Sequence, residues 1–197
     1  MSRTSFNVNE KKMVHFVSDT HFGHANIIKY SNRPFENAHE MNKALIDNWN
    51  NVVKPQDEVF HLGDFAFSDF NSIKFILSKL NGYKHFIHGN HDKNILRYAN
   101  ELLNDKLFES IQSYKEIYVN DKMIVLFHYG ARVWNKGHHG SYMLYGHSHG
   151  SLPPYGRSVD VGIDAKFITD EYRPVSFLEV QTFMDSRDAV VEDYHGD

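Results

Sequence analysis

The chain has 197 residues, no cysteine and a formal net charge of −4 with its histidines neutral. These values exclude a disulfide-stabilised fold, and they provide no broad basic field for long nucleic acid. No apolar run is long enough to cross a membrane, and residues 1–12 have no apolar signal core, so we expect a cytoplasmic protein with one domain over 1–197.

Strands and helices alternate in the first half of the sequence. Runs of β-branched and aromatic residues predict strands, and apolar residues spaced by three and four predict helices. The predicted elements are, in order, a strand over 13–18, a helical turn over 26–30, a helix over 41–53, a strand over 57–62, a helix over 71–80 and a strand over 83–88. This order predicts parallel neighbouring strands whose carboxyl ends share one edge of a sheet.

The second half has a different pattern. We predict a helix over 95–107, then a hairpin of strands 111–119 and 123–127 around the turn Asn120-Asp121. Further strands are predicted over 142–145, 158–163 and 175–180, followed by a polar tail. No repeat or linker divides the chain, so the motif-bearing core covers about 13–180.

Candidate metal ligands follow the predicted strands, and the chain has 14 histidines, more than packing alone requires. Two clusters have X-any-X spacing, and we expect side chains at i and i+2 of an extended segment to point the same way. The candidates are Asp19, His21, Asp64, Asn90, His128, His147 and His149.

Seven donors exceed what one ion needs, and they suit two ions about 3.5–4 Å apart with a shared carboxylate. Asp64 is the predicted shared ligand, because a carboxylate bridges more readily than an imidazole. The donor set contains no thiolate and suits divalent transition metals, with Mn²⁺ favoured and Fe, Zn²⁺, Ni²⁺ or Co²⁺ as alternatives.

The same residues resemble the five motifs of the calcineurin-like metallophosphoesterases, in that family's order and over roughly 14–180. The motifs are Asp19-Thr20-His21, Gly63-Asp64, Gly89-Asn90-His91-Asp92, His128 and Gly146-His147-Ser148-His149. Small bacterial and phage-type members are similar at 24–28, 33–35 and 160–164. The resemblance implies an α/β (α+β) fold, a four-layer α-β-β-α sandwich of two mixed sheets packed face to face with flanking helices.

The resemblance also implies a role for each site residue. One ion would be held by Asp19, His21, Asp64 and His149, and the other by Asp64, Asn90, His128 and His147. His91 would contact the scissile phosphate and protonate the leaving oxygen as general acid, after attack by a hydroxide that bridges the metals. Asp92, its neighbour in sequence, is a candidate to orient the His91 ring.

One departure argues against phosphoprotein as the substrate. Protein phosphatases of this superfamily have a Gly-Asp-x-x-Asp-Arg-Gly signature, whereas here Gly63-Asp64 continues as Phe65-Ala66-Phe67-Ser68-Asp69. The second Asp of the signature, which would pair with the catalytic histidine, and the following Arg are both absent.

The remaining candidates have competing interpretations. We predict substrate contacts for His24, Arg33 and His139. The alternatives are that His24 is a loop residue without a role, that Arg33 is a surface charge and that His139 lies in an exposed loop. His61 and His88 are predicted to be buried histidines that support the site rather than ligands. We assign five others to the polar surface: His15, His39, His85, His138 and His195.

We therefore expect a phosphoesterase that hydrolyses a small, nucleotide-like phosphodiester. Diesters are preferred over monoesters because no insertion is long enough to build a cap over the site. The alternatives are a phosphomonoesterase, a single-strand nuclease, which needs a basic path beside the site, and a catalytically silent metal-binding scaffold. The expected partner is a small phosphoester or nucleotide, without membrane or long nucleic acid, and the protein is a monomer or homodimer.

Overall fold

The computed structural model describes residues 4–189. The predicted surface histidine His195 and both ends of the predicted 1–197 domain lie outside this range. No helix within 4–189 combines the length and apolarity that a bilayer span requires.

Two five-stranded mixed sheets form the centre of the molecule. The first has the strand order β10-β2-β3-β4-β5, and the second has the order β1-β6-β7-β8-β9. The strands are β1 (Ser5–Phe6), β2 (Val14–Val17), β3 (Glu58–His61), β4 (Tyr83–Ile87), β5 (Ser110–Gln112), β6 (Tyr114–Val119), β7 (Lys122–Phe127), β8 (Tyr142–Tyr145), β9 (Ser158–Asp160) and β10 (Val175–Ser176). Strands β2, β3 and β4 are parallel neighbours, so their carboxyl ends meet at one edge.

Within residues 4–189, six α-helices accompany the sheets. They are α1 (Ala25–Tyr30), α2 (Ala38–Val52), α3 (Phe70–Lys79), α4 (Lys93–Arg97), α5 (Ala99–Asn104) and α6 (Phe177–Asp185). One buried cluster joins residues of helices α1–α5, such as Trp49 and Leu77, to outward-facing strand residues such as Val59. A second cluster lies between the sheets and joins Phe60 of β3 to Leu144 of β8 and Val180 of α6. This arrangement confirms two mixed sheets with flanking helices.

The outer face of the second sheet is covered differently. Alternate residues of β7 and β8, among them Val125 and Tyr145, pack with Trp134 in a third buried cluster. Trp134 belongs to the loop between these strands, which contains only a 3₁₀ turn at Gly137–His139. The outer face of the second sheet is therefore covered by this loop, at the position where the family resemblance implies a layer of helices.

The predicted strand 111–119 is two strands in different sheets. β5 pairs with β4 in the first sheet, and β6 pairs with β7 in the second, with the change at Ser113. The predicted β6–β7 hairpin is present and antiparallel. Periodicity alone could not show the crossing, because both halves keep an extended backbone.

The predicted helix 95–107 is interrupted at Tyr98. The backbone there has φ −111° and ψ 22°, which separates α4 from α5. The Tyr98 ring stacks on Phe70 of α3 with 4.0 Å between centroids. We attribute the break to this packing, which apolar spacing does not encode.

The predicted strand 175–180 was wrong after its second residue, because α6 begins at Phe177. A capping box starts the helix: the Ser176 hydroxyl accepts a hydrogen bond from the Glu179 N–H, and the Glu179 carboxylate accepts one from the Ser176 N–H at 2.8 Å. This Ser-x-x-Glu signature was visible in the sequence, and it outweighs the β-branched residues around it.

Two histidines assigned to the surface are instead enclosed. His15 is 4% exposed, and its Nε2 lies 3.3 Å from Asp57. His85 is partly buried, with its ring nitrogens 2.8 Å from Glu58 and 3.0 Å from Ser110. Both belong to strands of the first sheet, where carboxylate partners allow a polar ring to be enclosed. His39 and His138 are exposed, as predicted.

We expect Glu179→Gln to lower the free energy of unfolding by about 1 kcal/mol at pH 7, after allowance for partial exposure. Burial raises the pKa of Glu179, but hydrogen bonds from Arg173 and Ser176 prevail and lower it to about 2. The carboxylate therefore stabilises the fold above its unfolded pKa, and this contribution is lost as the pH falls from there toward 2. Denaturant unfolding of both proteins at several pH values should show a difference that shrinks on acidification. A difference independent of pH would contradict the assignment.

Candidate metal centre

The seven predicted ligands lie in loops that directly follow β2, β3, β4, β7 and β8. Six of them form two groups. Within each group, the candidate ligand atoms all lie within 4.8 Å of one another. The first group contains Asp19, His21 and His149, and the second contains Asp64, His128 and His147.

Both groups are compact and mostly buried. In the first, the Nε2 atoms of His21 and His149 each lie 4.0 Å from Asp19 Oδ1. In the second, His128 Nε2 lies 3.6 Å from Asp64 Oδ2. The same His128 atom lies 3.1 Å from the amide oxygen of Asn90, which adds the seventh predicted ligand to this group.

Asp64 lies between the two groups. Its Oδ2 atom is 3.9 Å from His21 Nε2 in the first group and 3.6 Å from His128 Nε2 in the second. Its other oxygen, Oδ1, accepts a hydrogen bond from the His91 N–H at 2.9 Å. One carboxylate oxygen thus faces both groups while the other is held by the backbone.

The polar atoms of this cluster fit a cation. Asp19 Oδ1 and both ring nitrogens of His21 are buried without a hydrogen-bond partner, although buried polar groups normally have one. Burial raises the pKa of Asp19 well above its ordinary value, and the charges of Asp160 and Asp64 add to this effect. Burial lowers the pKa of His21 to about 2, so its ring is neutral and has a lone pair to donate. A cation would satisfy these atoms.

The local prediction that the X-any-X pairs are extended was wrong. Asp19, His21, His147 and His149 all have positive φ, between 48° and 67°, and Asp64 has φ 57°. Asp and His enter this left-handed region more readily than most residues, at a cost of order 1–3 kcal/mol each. The candidate ligands therefore converge because their loops turn sharply, and the surrounding hydrogen bonds must maintain that strain.

Arg33 is not available as a phosphate clamp. Its side chain has no exposed surface, and all five guanidinium N–H groups have partners. Two contact Asp164 at 2.7 and 2.9 Å, two donate to the carbonyl oxygens of Asp19 and Thr20, and one faces the sulfur of Met41. Arg33 thus supports the first ligand loop from within, which corrects the predicted substrate contact.

Asp164 extends this support to a ligand. Its Oδ2 atom lies 2.7 Å from His149 Nδ1, so the ring can donate this hydrogen bond and direct Nε2 toward Asp19. Burial raises the pKa of Asp164, but hydrogen bonds from His149 and Arg33 prevail and lower it. The sequence did not single out Asp164 as a site residue. The only indication of a role was that it belongs to the stretch 160–164, which is similar to small members of the family.

Asp92 has backbone partners. The carboxylate is 2% exposed and accepts hydrogen bonds from the N–H groups of Asp64 and Gly89 at 2.7 Å and of Phe65 at 3.0 Å. It thereby ties the loop after β3 to the loop after β4. These contacts differ from the predicted contact with the His91 ring.

Gly89 is required where these two loops meet. A Cβ atom at this position would overlap the Asp64 carboxylate and come within 2.7 Å of His128 Cε1. Only glycine lets the β4 loop pass this close to two ligands.

Three further polar residues support the ligand loops. His61 is buried, and burial lowers its pKa to about 3. Its Nδ1 accepts a hydrogen bond from the Gly63 N–H at 3.2 Å, so Nε2 donates to the Thr20 hydroxyl at 2.9 Å. Asp160 accepts hydrogen bonds from Ser148 and Gly150 in the last ligand loop. His61 matches its prediction, whereas no spacing signal indicated Thr20 or Asp160.

The other predicted site residues lie farther out. His91 is exposed, with its ring 6.0 Å from that of His21 and 4.8 Å from Phe67. His24 stacks on Phe67 with 4.1 Å between centroids. His139 lies in the exposed 3₁₀ turn, where its ring packs on His138 at 4.0 Å rather than among the ligand groups.

The chain is similar to known proteins in sequence and in structure. Residues 13–158 match the family model of the calcineurin-like phosphoesterase superfamily domain. The uncharacterized protein MJ1445 of Methanocaldococcus jannaschii is 56% identical over 84 residues, which are 42% of this chain and 48% of that protein. The chain therefore spans about half the length of this curated relative.

Two solved structures are similar. The protein of unknown function AQ665 from Aquifex aeolicus is 27% identical, with a TM-score of 0.65 over 87% of this chain and 98% of its own. The E. coli phosphoesterase Yfce is 16% identical over 76% of this chain and 78% of its own, with a TM-score of 0.41.

Proposed function

The chain belongs to the calcineurin-like phosphoesterase superfamily, and from this premise we propose that it is a metal-dependent phosphodiesterase with two divalent cations, Mn²⁺ being the favoured ion. The observation that carries the proposal is the position of Asp64 Oδ2, 3.9 Å from His21 and 3.6 Å from His128. A carboxylate oxygen shared by two histidine-containing groups suits a pair of ions.

The two groups divide the ligands. Asp19, His21, His149 and Asp64 would hold one ion, and Asp64, Asn90, His128 and His147 would hold the other. When bound, the cations supply Lewis-acid activation of water and offset charge on the phosphoryl oxygens. Arg33, Asp164, Asp92 and His61 hold the ligand loops through the hydrogen bonds described above, which limits reorganisation as the substrate binds.

His91 is the proposed general acid. Its ring is exposed at the rim of the first group, while its backbone N–H is fixed on Asp64 Oδ1. An exposed imidazole beside the ligand groups can reach a leaving oxygen and donate a proton to it.

The loop after β3 argues against a phosphoprotein substrate, whereas the preference for a diester over a monoester rests on the lack of an insertion long enough to cap the site. Phe67 stands where the phosphatase signature has the Asp that pairs with the catalytic histidine, and its ring lies 4.8 Å from His91. The position of the Gly that ends the signature is taken by Asp69, which caps α3 by accepting a hydrogen bond from the Ser72 N–H. The chain thus has an apolar ring in place of the Asp that pairs with the catalytic histidine in phosphoprotein phosphatases.

Metal analysis combined with a hydrolysis screen tests the proposal. The purified protein loaded with Mn²⁺ should bind about two ions per chain and hydrolyse an aryl phosphodiester faster than the aryl monoester. Cyclic nucleotides and a short oligonucleotide complete the screen. Activity on the monoester alone would overturn the diester preference, and loading without any turnover would favour the scaffold.

We expect His91→Ala to lower turnover about 100-fold while the bound metal is retained, because a proton donor is lost but no ligand is. His39→Ala is the matched control, since His39 is an exposed histidine of α2. Steady-state rates and metal content of both variants give the comparison. Full activity in His91→Ala would exclude it as the acid.

A further inference from the structure

Two partly exposed aromatic residues flank the proposed pair of ions, one beside each ligand group. Phe67 is 41% exposed and Tyr129 is 38% exposed. Single exposed apolar residues are common on proteins and need no explanation. Two exposed aromatic residues on either side of the same polar site do require an explanation.

Phe67 lies beside the first group and the proposed acid. Its ring centroid is 5.7 Å from that of His21 and 4.8 Å from that of His91. His24 stacks on it in a nearly parallel arrangement, at 4.1 Å and 16°. The Phe67 N–H donates to the Phe22 carbonyl at 2.8 Å, which holds the backbone of Phe67 beside the first ligand loop.

Tyr129 lies beside the second group. Its ring centroid is 4.9 Å from that of His128 and 4.8 Å from that of His147. Its hydroxyl lies 3.4 Å from the amide oxygen of Asn90, and Phe127 packs against the ring at 5.4 Å. The ring is therefore held against the ligands of the second group.

From this arrangement we infer that Phe67 and Tyr129 are specificity-determining residues that receive the two arms of a phosphodiester, and that these arms are aromatic, as in a nucleoside. The inference rests on the proposed function. A phosphodiester projects one substituent to each side of phosphorus, and the rings of Phe67 and Tyr129 lie one beside each ligand group. Nucleobases gain affinity by contact with such rings, since every base has a π face.

The position of His91 assigns the arms. Because Phe67 packs against the proposed acid, it lies on the side of the leaving oxygen. Tyr129, beside the other group, then receives the arm that stays on the phosphate.

Two chromogenic diesters with the same leaving group test the assignment. Thymidine 5′-(p-nitrophenyl phosphate) and methyl p-nitrophenyl phosphate both release p-nitrophenolate and differ only in the retained arm. With the Mn²⁺-loaded protein, kcat/KM should be about tenfold higher for the thymidine substrate. Tyr129→Leu should bring this ratio near one, whereas Tyr129→Phe, which keeps the ring, should preserve it.

Phe67→Leu should preserve the ratio but raise KM for both substrates about tenfold, because both carry the same aromatic leaving group. Phe75→Leu, at a 61% exposed position of α3, is the control and should change neither quantity. A wild-type ratio near one, or a ratio that Tyr129→Leu leaves unchanged, overturns the inference while diester hydrolysis stands. If the wild-type protein cleaves neither diester, the proposed function fails, and the inference fails with it.

Discussion

Asp64→Asn is expected to abolish loading of the proposed ion pair and to lower phosphodiesterase activity by more than about 10³-fold. Oδ2 of this carboxylate is the one oxygen within 4 Å of histidine nitrogens from both groups among the contacts described above. An amide keeps the size of the side chain but removes the charge, and an amide oxygen is a weak bridging ligand. Both ions should therefore be affected by a single substitution.

Asp69→Asn provides the matched control. It makes the same chemical change five residues away, at an N-cap where Asn serves as well as Asp. Metal content after dialysis against Mn²⁺, together with the rate on the aryl diester, should separate the two variants. An Asp64→Asn protein that still binds about two ions per chain would refute the bridging role.

Removal of this charge should not destabilise the metal-free protein. The carboxylates of Asp64 and Asp160 help to raise the pKa of the buried Asp19, in addition to burial itself. Without a cation, these like charges oppose folding, so their partial neutralisation is tolerated. Thermal unfolding of the wild-type and Asp64→Asn proteins in the presence of a chelator measures this stability independently of activity.

The proposed ligands could be brought together from the sequence because each follows a strand that the topology brings to a shared edge. Asp19, Asp64 and Asn90 come after β2, β3 and β4, which are parallel neighbours as the βαβα order predicts. His128 and His147 follow β7 and β8, which are also parallel. Hydrophobic patterning encodes this level of organisation, so strand ends can be predicted without coordinates.

The residues that support the proposed ligands were harder to predict. Arg33 and Asp164 are 131 positions apart in sequence, and a lone loop arginine looks the same whether it faces solvent or a buried carboxylate. The left-handed conformations of Asp19 and His147 also leave no periodic signal. Long-range hydrogen bonds and strained turns depend on the finished fold, so they fall outside what local pattern can show.

Asp164→Ala is expected to lower the free energy of unfolding by about 3–5 kcal/mol, because it leaves the buried guanidinium of Arg33 without its counter-charge. Asp164 is 4% exposed in its side chain and makes two contacts to Arg33 below 3 Å. The same substitution removes the partner of His149 Nδ1. We expect metal affinity to fall about 10–100-fold, the usual effect of losing a hydrogen bond that orients a ligating histidine.

Asp47→Ala separates these effects from the simple loss of an ion pair. Asp47 contacts Lys43 at 2.7 Å, the same distance as the shortest Asp164–Arg33 contact, but its side chain is 56% exposed. Solvent screens the Asp47–Lys43 pair, so its removal should leave the free energy of unfolding and the metal affinity unchanged. Denaturant titrations of the metal-free proteins report the buried charge, and Mn²⁺ titrations of the folded proteins report the orientation of His149. If Asp164→Ala destabilises the fold but binds Mn²⁺ as tightly as wild type, the role of Asp164 is limited to neutralising Arg33. Its hydrogen bond to His149 is then not required to orient that ring toward the ion.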